Sequence, residues 1–396
     1  MIGWKKARLG DCCEITSSKR IFYSDYVESG VPFYRSKEII ESFEGVRNFS
    51  ETLYITEERY NEIRSRFGVP SEGDLLLTSV GTIGVPYLVK RGDRFYFKDG
   101  NLTWFRNFEK TLDSKFLFYW LQTNQGKGEL DAHTIGSSQK ALTIRGLKEV
   151  SIRLPDIEQQ QRMISILSDF DLAIDNARRQ IALLEEAAMR LYREWFVVHT
   201  DQKWEKGAVR KWFEITIGRT PPRKIAANFS ESATDQKWCS IKDLQNSNIF
   251  ISETAERLTK QGVDSSKIHI SPAGTIFLSF KLTVGKVAIT LEPMATNEAI
   301  AHFETIDRAL RDYTYCYLHE FQYDTLGSTS SIGKAINSEI VRDMPFVMPD
   351  AKTLARFSET VSPIFDQMQN RVVSIRSLTE ARDRLLPKLM SGEIEV

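Results

Sequence analysis

Several ingredients of common protein classes are scarce or missing in this chain of 396 residues. No apolar stretch approaches the roughly 18–20 residues that span a bilayer, and residues 1–6 lack the apolar segment of a secretory signal. The four cysteines include no CxxC pair, and the adjacent Cys12 and Cys13 are poorly placed to bridge each other, which favours reduced, partly buried thiols. We therefore expect a cytoplasmic protein with no membrane partner.

Catalytic and metal-binding signatures are missing as well. The five histidines form no HExxH or Cys/His cluster, so we expect no metal site. The chain has no GxxxxGK[ST] phosphate loop, no GxSxG elbow and no GxGxxG that opens a helix,. Residues 220–223, Thr-Pro-Pro-Arg, share two prolines with the adenine methyltransferase motif, but the outer residues are wrong for gripping and stacking a flipped base. We predict no catalytic residue and no cofactor bound by this chain.

Net charge is also absent, because 53 basic and 53 acidic side chains balance. Bulk composition therefore does not indicate a nucleic-acid binder. It leaves open a scaffold whose globular parts bind protein ligands instead of DNA. The two hypotheses differ in one observable, since only DNA recognition predicts an affinity for duplex DNA that falls with salt.

Residues 156–200 contain neither glycine nor proline. Their apolar side chains alternate at spacings of four and three, a heptad seam typical of a long helix packed along another helix. A second seam of this kind follows near the C-terminus. The residues that we expect to pair across the two helices are Leu167, Phe170, Ile174, Ile181, Leu184 and Leu191 in the first and Val361, Met368, Ile375, Leu378 and Leu385 in the second.

Three details of the seams carry expectations of their own. Arg371 and Arg382 stand where the first seam has alanine; they could snorkel from its edge or face a partner, and we expect them to snorkel. Ser362 followed by Pro363 is typical of a helix start, so we expect a kink or break there and, by alignment, a break of the first helix near Ser168. A helix of about 35 residues reaches roughly 50 Å.

The chain repeats itself after about 200 residues. Trp4 recurs as Trp204, Gly84 recurs as Gly285, and residues 14–16, Glu-Ile-Thr, recur at 214–216. A period this long exceeds the roughly 20–50 residues of a solenoid unit and indicates two similar domains. Apolar runs bounded by glycine and proline predict strands at residues 73–77, 87–89, 95–97, 275–278 and 287–291, and buried helices at 115–121 and 313–321.

The fold class that follows is α+β. We predict two similar mixed α/β domains separated by two long helices that pair as an antiparallel coiled coil, with a pseudo-twofold relation. The predicted boundaries are residues 1–155 for the first domain, 156–200 for the first spacer helix, 201–349 for the second domain and 350–396 for the second spacer helix.

Taken together, the motifs resemble one family over nearly the whole chain. The resemblance is carried by residues 14–20, 30–39, 73–77, 81–84, 136–140 and 154–160 in the first copy and by 218–222, Trp238 with 243–244, and 384–394 in the second. On these residues the chain resembles the specificity subunits of type I restriction-modification systems. The second copy departs from the pattern at residues 281–285, Lys-Leu-Thr-Val-Gly, and at 350–352, Asp-Ala-Lys.

The resemblance implies a division of labour between subunits. It implies two target-recognition domains that each read one half of a bipartite site in double-stranded DNA, and helices that dock two methyltransferase subunits. S-adenosylmethionine, ATP and magnesium would belong to partner subunits, and two motor-nuclease subunits would complete a restriction complex. A methylation-only system without the nuclease is the alternative within the family. This chain would itself be non-catalytic.

The residues that read DNA are expected on polar loops. Arg, Lys, Asn and Gln make paired contacts with base edges in the major groove, whereas contacts with phosphates fix the register. The candidate DNA-binding residues are Ser17, Lys19, Arg20, Arg35, Lys37, Ser79, Thr82, Ser137, Ser138, Gln139 and Lys140 in the first copy and Arg219, Arg223, Lys224, Lys242, Lys281, Thr283, Ser330, Ser331 and Lys334 in the second.

Overall fold

The computed structural model describes residues 3–45, 49, 51–136, 140–326 and 336–396. Its contacts divide the chain into two compact units. The first unit is Met1–Ala173 with Leu378–Val396, and the second is Ile174–Ser377. Each unit thus combines one copy of the repeat with segments of both long helices. Within the described ranges, no helix combines the length and apolarity that a membrane span requires.

The first unit contains twelve strands and six shorter helices among the described residues. The strands are β1 (Lys5–Arg8), β2 (Glu14–Thr16), β3 (Tyr26–Val27), β4 (Val31–Tyr34), β5 (Leu53–Ile55), β6 (Leu75–Thr78), β7 (Pro86–Leu88), β8 (Tyr96–Phe97), β9 (Leu102–Arg106), β10 (Thr134–Ile135), β11 (Ala141–Leu142) and β12 (Ser151–Leu154). The helices are α1 (Leu9–Cys12), α2 (Ser36–Phe43), α3 (Glu57–Phe67), α4 (Ser114–Trp120), α5 (Asn124–Ala132) and α6 (Ile144–Glu149).

Two four-stranded sheets organise the first unit. One has the order β2-β9-β6-β7 and is antiparallel throughout. The other has the order β3-β5-β4-β8, in which β4 and β8 run parallel. The central strand β6 is buried along its whole length, which explains why its sequence, Leu-Leu-Leu-Thr, is continuously apolar instead of alternating.

The second unit repeats this plan. Its strands are β13 (Glu205–Ala208), β14 (Ile215–Ile217), β15 (Phe229–Ser230), β16 (Gln236–Cys239), β17 (Phe250–Ile251), β18 (Glu256–Leu258), β19 (Ile276–Ser279), β20 (Val287–Thr290), β21 (Ala295–Thr296), β22 (Ile300–Phe303) and β23 (Pro345–Met348). Its shorter helices are α8 (Ile241–Asn246), α9 (Lys260–Ser266), α10 (Arg308–Glu320) and α11 (Ser338–Arg342).

The sheets of the second unit match those of the first strand by strand. The order β14-β22-β19-β20 corresponds to β2-β9-β6-β7, with β17 added at the edge, and β15-β18-β16-β21 corresponds to β3-β5-β4-β8. The short pair of β13 and β23 likewise corresponds to that of β1 and β12. The predicted fold class, two similar mixed α/β domains with long helices, is confirmed.

The two long helices are α7 (Ile157–Tyr192), which ends in a π-helical turn at Arg193–Val198, and α12 (Ala351–Met390). The breaks predicted near Ser168 and at Pro363 are wrong, because both residues lie inside continuous helices; the alternative of a kink at Pro363 stays a prediction. Proline removes one backbone hydrogen bond from a helix. Val361 and Phe365, on either side of the proline, are fully buried, and this packing holds the helix together.

In the first unit, the start of α7 packs antiparallel to the end of α12. Met163 and Leu167 share a core with Leu386 and Leu389, while Leu385 packs at its edge and Phe170 and Leu378 are partly buried. The guanidinium of Arg382 donates to the Asp171 carboxylate at 2.7 Å. Arg382 therefore pairs with the neighbouring helix. The prediction that it snorkels into solvent is wrong.

In the second unit, the remaining parts of the same helices also pack antiparallel. The core contains Ile181 with Val361 and Met368, while Leu184, Leu191 and Ile375 pack at its edge. Ile174 is buried too. The direction follows from two contacts: Phe196 lies 4.8 Å from Phe357 between ring centroids, and Tyr315 touches both Glu185 and Phe365.

We expect Arg382→Ala to destabilise the helix pair of the first unit. The Asp171 carboxylate accepts from Arg382 and, at 2.6 Å, from the Tyr119 hydroxyl. Removing the cation leaves a partly buried carboxylate with one partner. Because the side chains of both ions remain about a quarter to a third exposed, the loss should be near ~2 kcal/mol and below that of a fully buried pair.

Urea unfolding of the full-length chain measures this loss. Arg384→Ala is the matched control, since Arg384 is exposed on the same helix and its loss should change the free energy of unfolding by less than ~0.5 kcal/mol. Equal stabilities of the two variants would contradict the assignment of Arg382 to the helix pair.

Candidate nucleic-acid interface

A tight turn joins β6 to β7 in the first unit. We call residues 79–84 the first turn. Its closure depends on Thr78, whose carbonyl accepts from the Gly84 amide at 2.8 Å and whose hydroxyl accepts from the Val85 amide at 2.9 Å. Gly81 and Gly84 both have positive φ, which glycine adopts without strain,. The residues between these anchors are presented at the end of the sheet.

An equivalent turn joins β19 to β20 in the second unit. We call residues 280–285 the second turn. Ser279 takes the part of Thr78, since its carbonyl accepts from the Gly285 amide at 2.9 Å and its hydroxyl accepts from the Lys286 amide at 3.0 Å. The sequences Ser-Val-Gly-Thr-Ile-Gly and Phe-Lys-Leu-Thr-Val-Gly thus occupy one backbone frame. The second copy departs from the family's sequence pattern at residues 281–285, but only the side chains differ and the turn is the same.

Four candidate residues lie on these two turns, and they differ in the exposure of their side chains. Ser79 is buried and its hydroxyl bonds to the Thr103 hydroxyl at 2.7 Å, so it belongs to the sheet and is not available to a base. Thr82, Lys281 and Thr283 are exposed. The Thr283 hydroxyl accepts a hydrogen bond from the Gln245 amide.

The loop after β2 carries three more candidates. Ser17 is half-buried. The Lys19 amide donates to the Tyr96 hydroxyl at 2.6 Å, and its exposed ammonium lies 4.7 Å from the centre of the Phe67 ring. Arg20 pairs with Asp99 at 2.9 Å. Of the three, Lys19 combines a fixed backbone with an exposed cation whose cation–π contact is weak enough to be exchanged for a phosphate.

Arg35 and Lys37 have carboxylate partners. Arg35 donates to Glu38 at 2.6 Å, and because Glu38 is buried, this pair anchors the start of α2. The hydrogen bond to Glu38 raises the pKa of Arg35. Lys37 pairs with Glu51 at 2.8 Å. Arg35 therefore holds the start of α2 in the fold.

In the second unit, the loop after β14 holds two candidate arginines of different character. Arg223 forms a two-pronged pair with Glu256 at 2.6 and 3.0 Å and lies 4.4 Å from the Phe229 ring. Both terminal nitrogens of its guanidinium are therefore engaged by the Glu256 carboxylate,. Arg219 is exposed, and its guanidinium donates to the Ser266 carbonyl at 2.9 Å.

The remaining candidates are divided by what the structure describes. Lys140, Lys224 and Lys242 have exposed side chains. Six candidates lie outside the described residues: Ser137, Ser138, Gln139, Ser330, Ser331 and Lys334.

Two exposed apolar features lie beside the predicted polar loops and are not among the candidate residues. Phe22 and Tyr23 follow the Lys19 loop, and Tyr23 is 91% exposed. Leu282, at the centre of the second turn, is also 91% exposed and has φ +63°. No sequence signal identifies a leucine at positive φ, but its alignment with Gly81 in the first copy could have pointed to it.

One group of side chains has the composition of a metal site. Among the described residues, His269, His302 and Glu304 place potential ligand atoms within 4.8 Å of one another. Both ring nitrogens of His302, however, bond to hydroxyls, those of Thr216 at 2.9 Å and Thr296 at 2.7 Å. Burial, reinforced by His269, lowers the pKa of His302 to about 3. We assign this neutral imidazole to the hydrogen bonding of the sheet.

Comparison with known proteins gives consistent matches. The sequence model of the type I restriction modification DNA specificity domain matches residues 1–186 and 201–370. The type I restriction enzyme MjaIX specificity subunit of Methanocaldococcus jannaschii is 25% identical, with 99% of this chain and 94% of the relative covered. The HindI specificity subunit of Haemophilus influenzae is 22% identical, with 71% and 77% covered.

A solved structure supports the likeness of fold. The crystal structure of the type I restriction-modification S subunit from M. genitalium superimposes with a TM-score of 0.53 at 14% identity, and the match covers 98% of this chain and 96% of that one. The two chains therefore share their fold over nearly their whole length.

Proposed function

The chain belongs to the family of type I restriction modification DNA specificity domains, and from this premise we propose that it is the DNA-recognition subunit of a type I restriction-modification complex. Each unit reads one half of a bipartite site in double-stranded DNA. The chain is non-catalytic: S-adenosylmethionine, ATP and magnesium serve two methyltransferase subunits and two motor-nuclease subunits in the cytoplasm.

The observation that carries this proposal is the pair of equivalent turns with different tips. The first turn has Gly81 where the second has Leu282, and Val80 where the second has Lys281, although both are closed by the same hydrogen bonds. Base recognition requires side chains held on a rigid frame. Two copies of one frame that carry different side chains are suited to reading two different sequences.

The long helices support the docking of partner subunits. Leu172 in the first unit and Leu183 and Val373 in the second are large apolar side chains, each about half exposed or more. Isolated exposed leucines are ordinary on a surface. On helices whose opposite faces are already packed in a core, they provide apolar contacts for the methyltransferase subunits.

Methylation mapping of the reconstituted complex tests the proposal. The chain is assembled with its methyltransferase subunits, and a library of random duplexes is modified and sequenced. We expect a bipartite site with unread bases between its halves. Thr82→Ala should relax the sequence preference in one half and Lys281→Ala in the other, each by about 1–3 kcal/mol, the contribution of a contact with a base edge.

Several outcomes would count against the proposal. A protein scaffold would give no salt-dependent affinity for duplex DNA. Variants that relax both halves equally would contradict the assignment of one half-site to each unit. A complex that methylates its site but recruits no motor-nuclease subunit would identify a methylation-only system.

A further inference from the structure

Leu282 adopts a backbone conformation that its side chain disfavours. Its φ is +63°, in the left-handed region where a Cβ atom crowds the backbone. Three described residues other than glycine have positive φ, and two have local explanations. Lys267 caps the C-terminus of α9, and asparagine, the residue at position 107, tolerates this region,. Leu282 has neither explanation.

The first copy of the repeat shows that the strain is avoidable. Gly81 occupies the equivalent position with φ +77°, and a Cβ built there would meet no atom within 4 Å. Both turns have the space for a side chain, and glycine closes the same turn without strain. The second copy therefore retains a strained leucine where the fold requires none.

The leucine does not stabilise the unit by burial, because it is 91% exposed. The backbone beneath it is nonetheless held firmly. A Cβ on Gly285 would lie 2.8 Å from the Tyr323 ring, so the turn packs directly on that ring. Thr283 is tied to Gln245 by a hydrogen bond. A strained, exposed and pre-positioned apolar side chain is typical of a ligand contact.

We propose that Leu282 reads a thymine in the half-site of the second unit through the 5-methyl group in the major groove. This inference rests on the proposed function and deepens it. The thymine methyl is the apolar group by which the major groove distinguishes base pairs. Leu282 is flanked by the exposed Lys281 and Thr283, whose ammonium and hydroxyl suit phosphate or base edges. That polar setting favours DNA over an apolar protein surface.

Replacing thymine by uracil in the DNA provides the sharpest test, because it removes only the methyl group. The wild-type chain, assembled with its methyltransferase subunits, is titrated with the mapped site carrying thymine or uracil in the second half. We expect uracil to weaken binding about fourfold, the loss from one buried methyl group. Leu282→Gly should weaken binding to the thymine site at least as much and should be insensitive to uracil.

Stability gives a second readout with the opposite sign. Leu282→Gly relieves the strain and should raise the melting temperature by roughly 1–3 °C. Gly81→Leu is the reciprocal control: it should lower the melting temperature and change the preference of the first half-site only. Ile306→Ala removes an exposed apolar side chain elsewhere in the second unit and should change neither binding nor uracil sensitivity.

The outcomes are distinguishable. A Leu282→Gly variant that binds thymine and uracil sites as the wild type does, or that loses affinity equally for both, overturns the thymine contact. Loss of assembly with the methyltransferase subunits at unchanged DNA preference assigns the leucine to a protein partner and also overturns it. If the wild-type complex itself shows no sequence preference in DNA, the proposed function fails first.

Discussion

Gly126→Ala will destabilise the first unit by about 3 kcal/mol or more, whereas Gly128→Ala, two residues later in the same helix, will stabilise it. The two glycines lie in α5 and differ in their surroundings. A Cβ on Gly126 would lie 2.2 Å from the Trp120 carbonyl oxygen and 2.9 Å from the Leu121 Cα, whereas a Cβ on Gly128 would meet no atom within 4 Å.

Whether each substitution raises or lowers the stability depends on which atoms the new Cβ would displace. The obstacle at Gly126 is backbone at the end of α4, and Trp120 is fully buried, so it cannot shift without opening the core. Thr123 caps α5 by accepting from the Gly126 amide at 3.0 Å, and the displaced helix would lose this bond too. At Gly128 only the helix propensity changes, which favours alanine by roughly 0.5–1 kcal/mol.

Chemical denaturation of the two full-length variants gives the comparison directly. In the methylation assay, Gly126→Ala should impair recognition of the first half-site, and Gly128→Ala should leave both halves intact. If both substitutions proved neutral, the close packing of α4 against α5 would be incorrect.

The second large effect is expected at Gln160, near the start of α7. Its side chain is fully buried and makes three hydrogen bonds. The amide oxygen accepts from the Asp113 backbone at 3.0 Å, and the amide nitrogen donates to the carbonyls of Thr111 at 2.9 Å and Pro155 at 3.0 Å. The side chain thus joins the long helix to the loop before α4.

Gln160→Leu should cost about 3 kcal/mol or more, because buried backbone groups left unpaired cost roughly 1–3 kcal/mol each. Gln161→Leu is the matched control, since that neighbour is exposed and its replacement should change stability by less than ~0.5 kcal/mol. Thermal and urea unfolding of both variants provide the measurement. A loss for Gln160→Leu no greater than that of the control would show that water replaces the amide.

The second copy of the repeat has an apolar residue at the position equivalent to Gln160. Counted from the Pro-Asp pair before each long helix, Gln160 corresponds to Leu354, which is buried in the core of the second unit. There the helix start is tied differently, since Trp204 donates its indole N–H to Asp350 at 3.2 Å. A glutamine is needed only where the neighbouring loop presents unpaired backbone groups.

The candidate DNA-binding residues show where sequence reasoning stopped. Polarity and loop position selected Arg35, Ser79 and Arg223 together with Lys19 and Lys281. The first three are engaged within the fold, by Glu38, Thr103 and Glu256 respectively. A loop sequence does not reveal whether a residue far away in the chain will accept hydrogen bonds from the loop's side chains. The predicted DNA-binding residues therefore include both exposed residues and residues that stabilise the fold.

The helices were easier to predict because their signal is local. Apolar residues at spacings of three and four define a helix face within the segment itself, and α7 and α12 follow the predicted seams. The prediction of a break at Pro363 was wrong because the continuity of the helix there is not determined locally. Its outcome depended on residues buried against other elements, which the local pattern does not contain.

The amino-acid sequence by itself determined the duplication, the two long helices, the α+β class and the family resemblance, because repeats, periodicity and ordered motifs are properties of neighbouring residues along the chain. Only the tertiary structure decided which polar groups remain exposed and that Leu282 stands in a strained conformation. Those properties depend on partners far away in sequence, such as Asp99, which is 79 residues from Arg20, and on a backbone angle that side-chain chemistry alone does not specify.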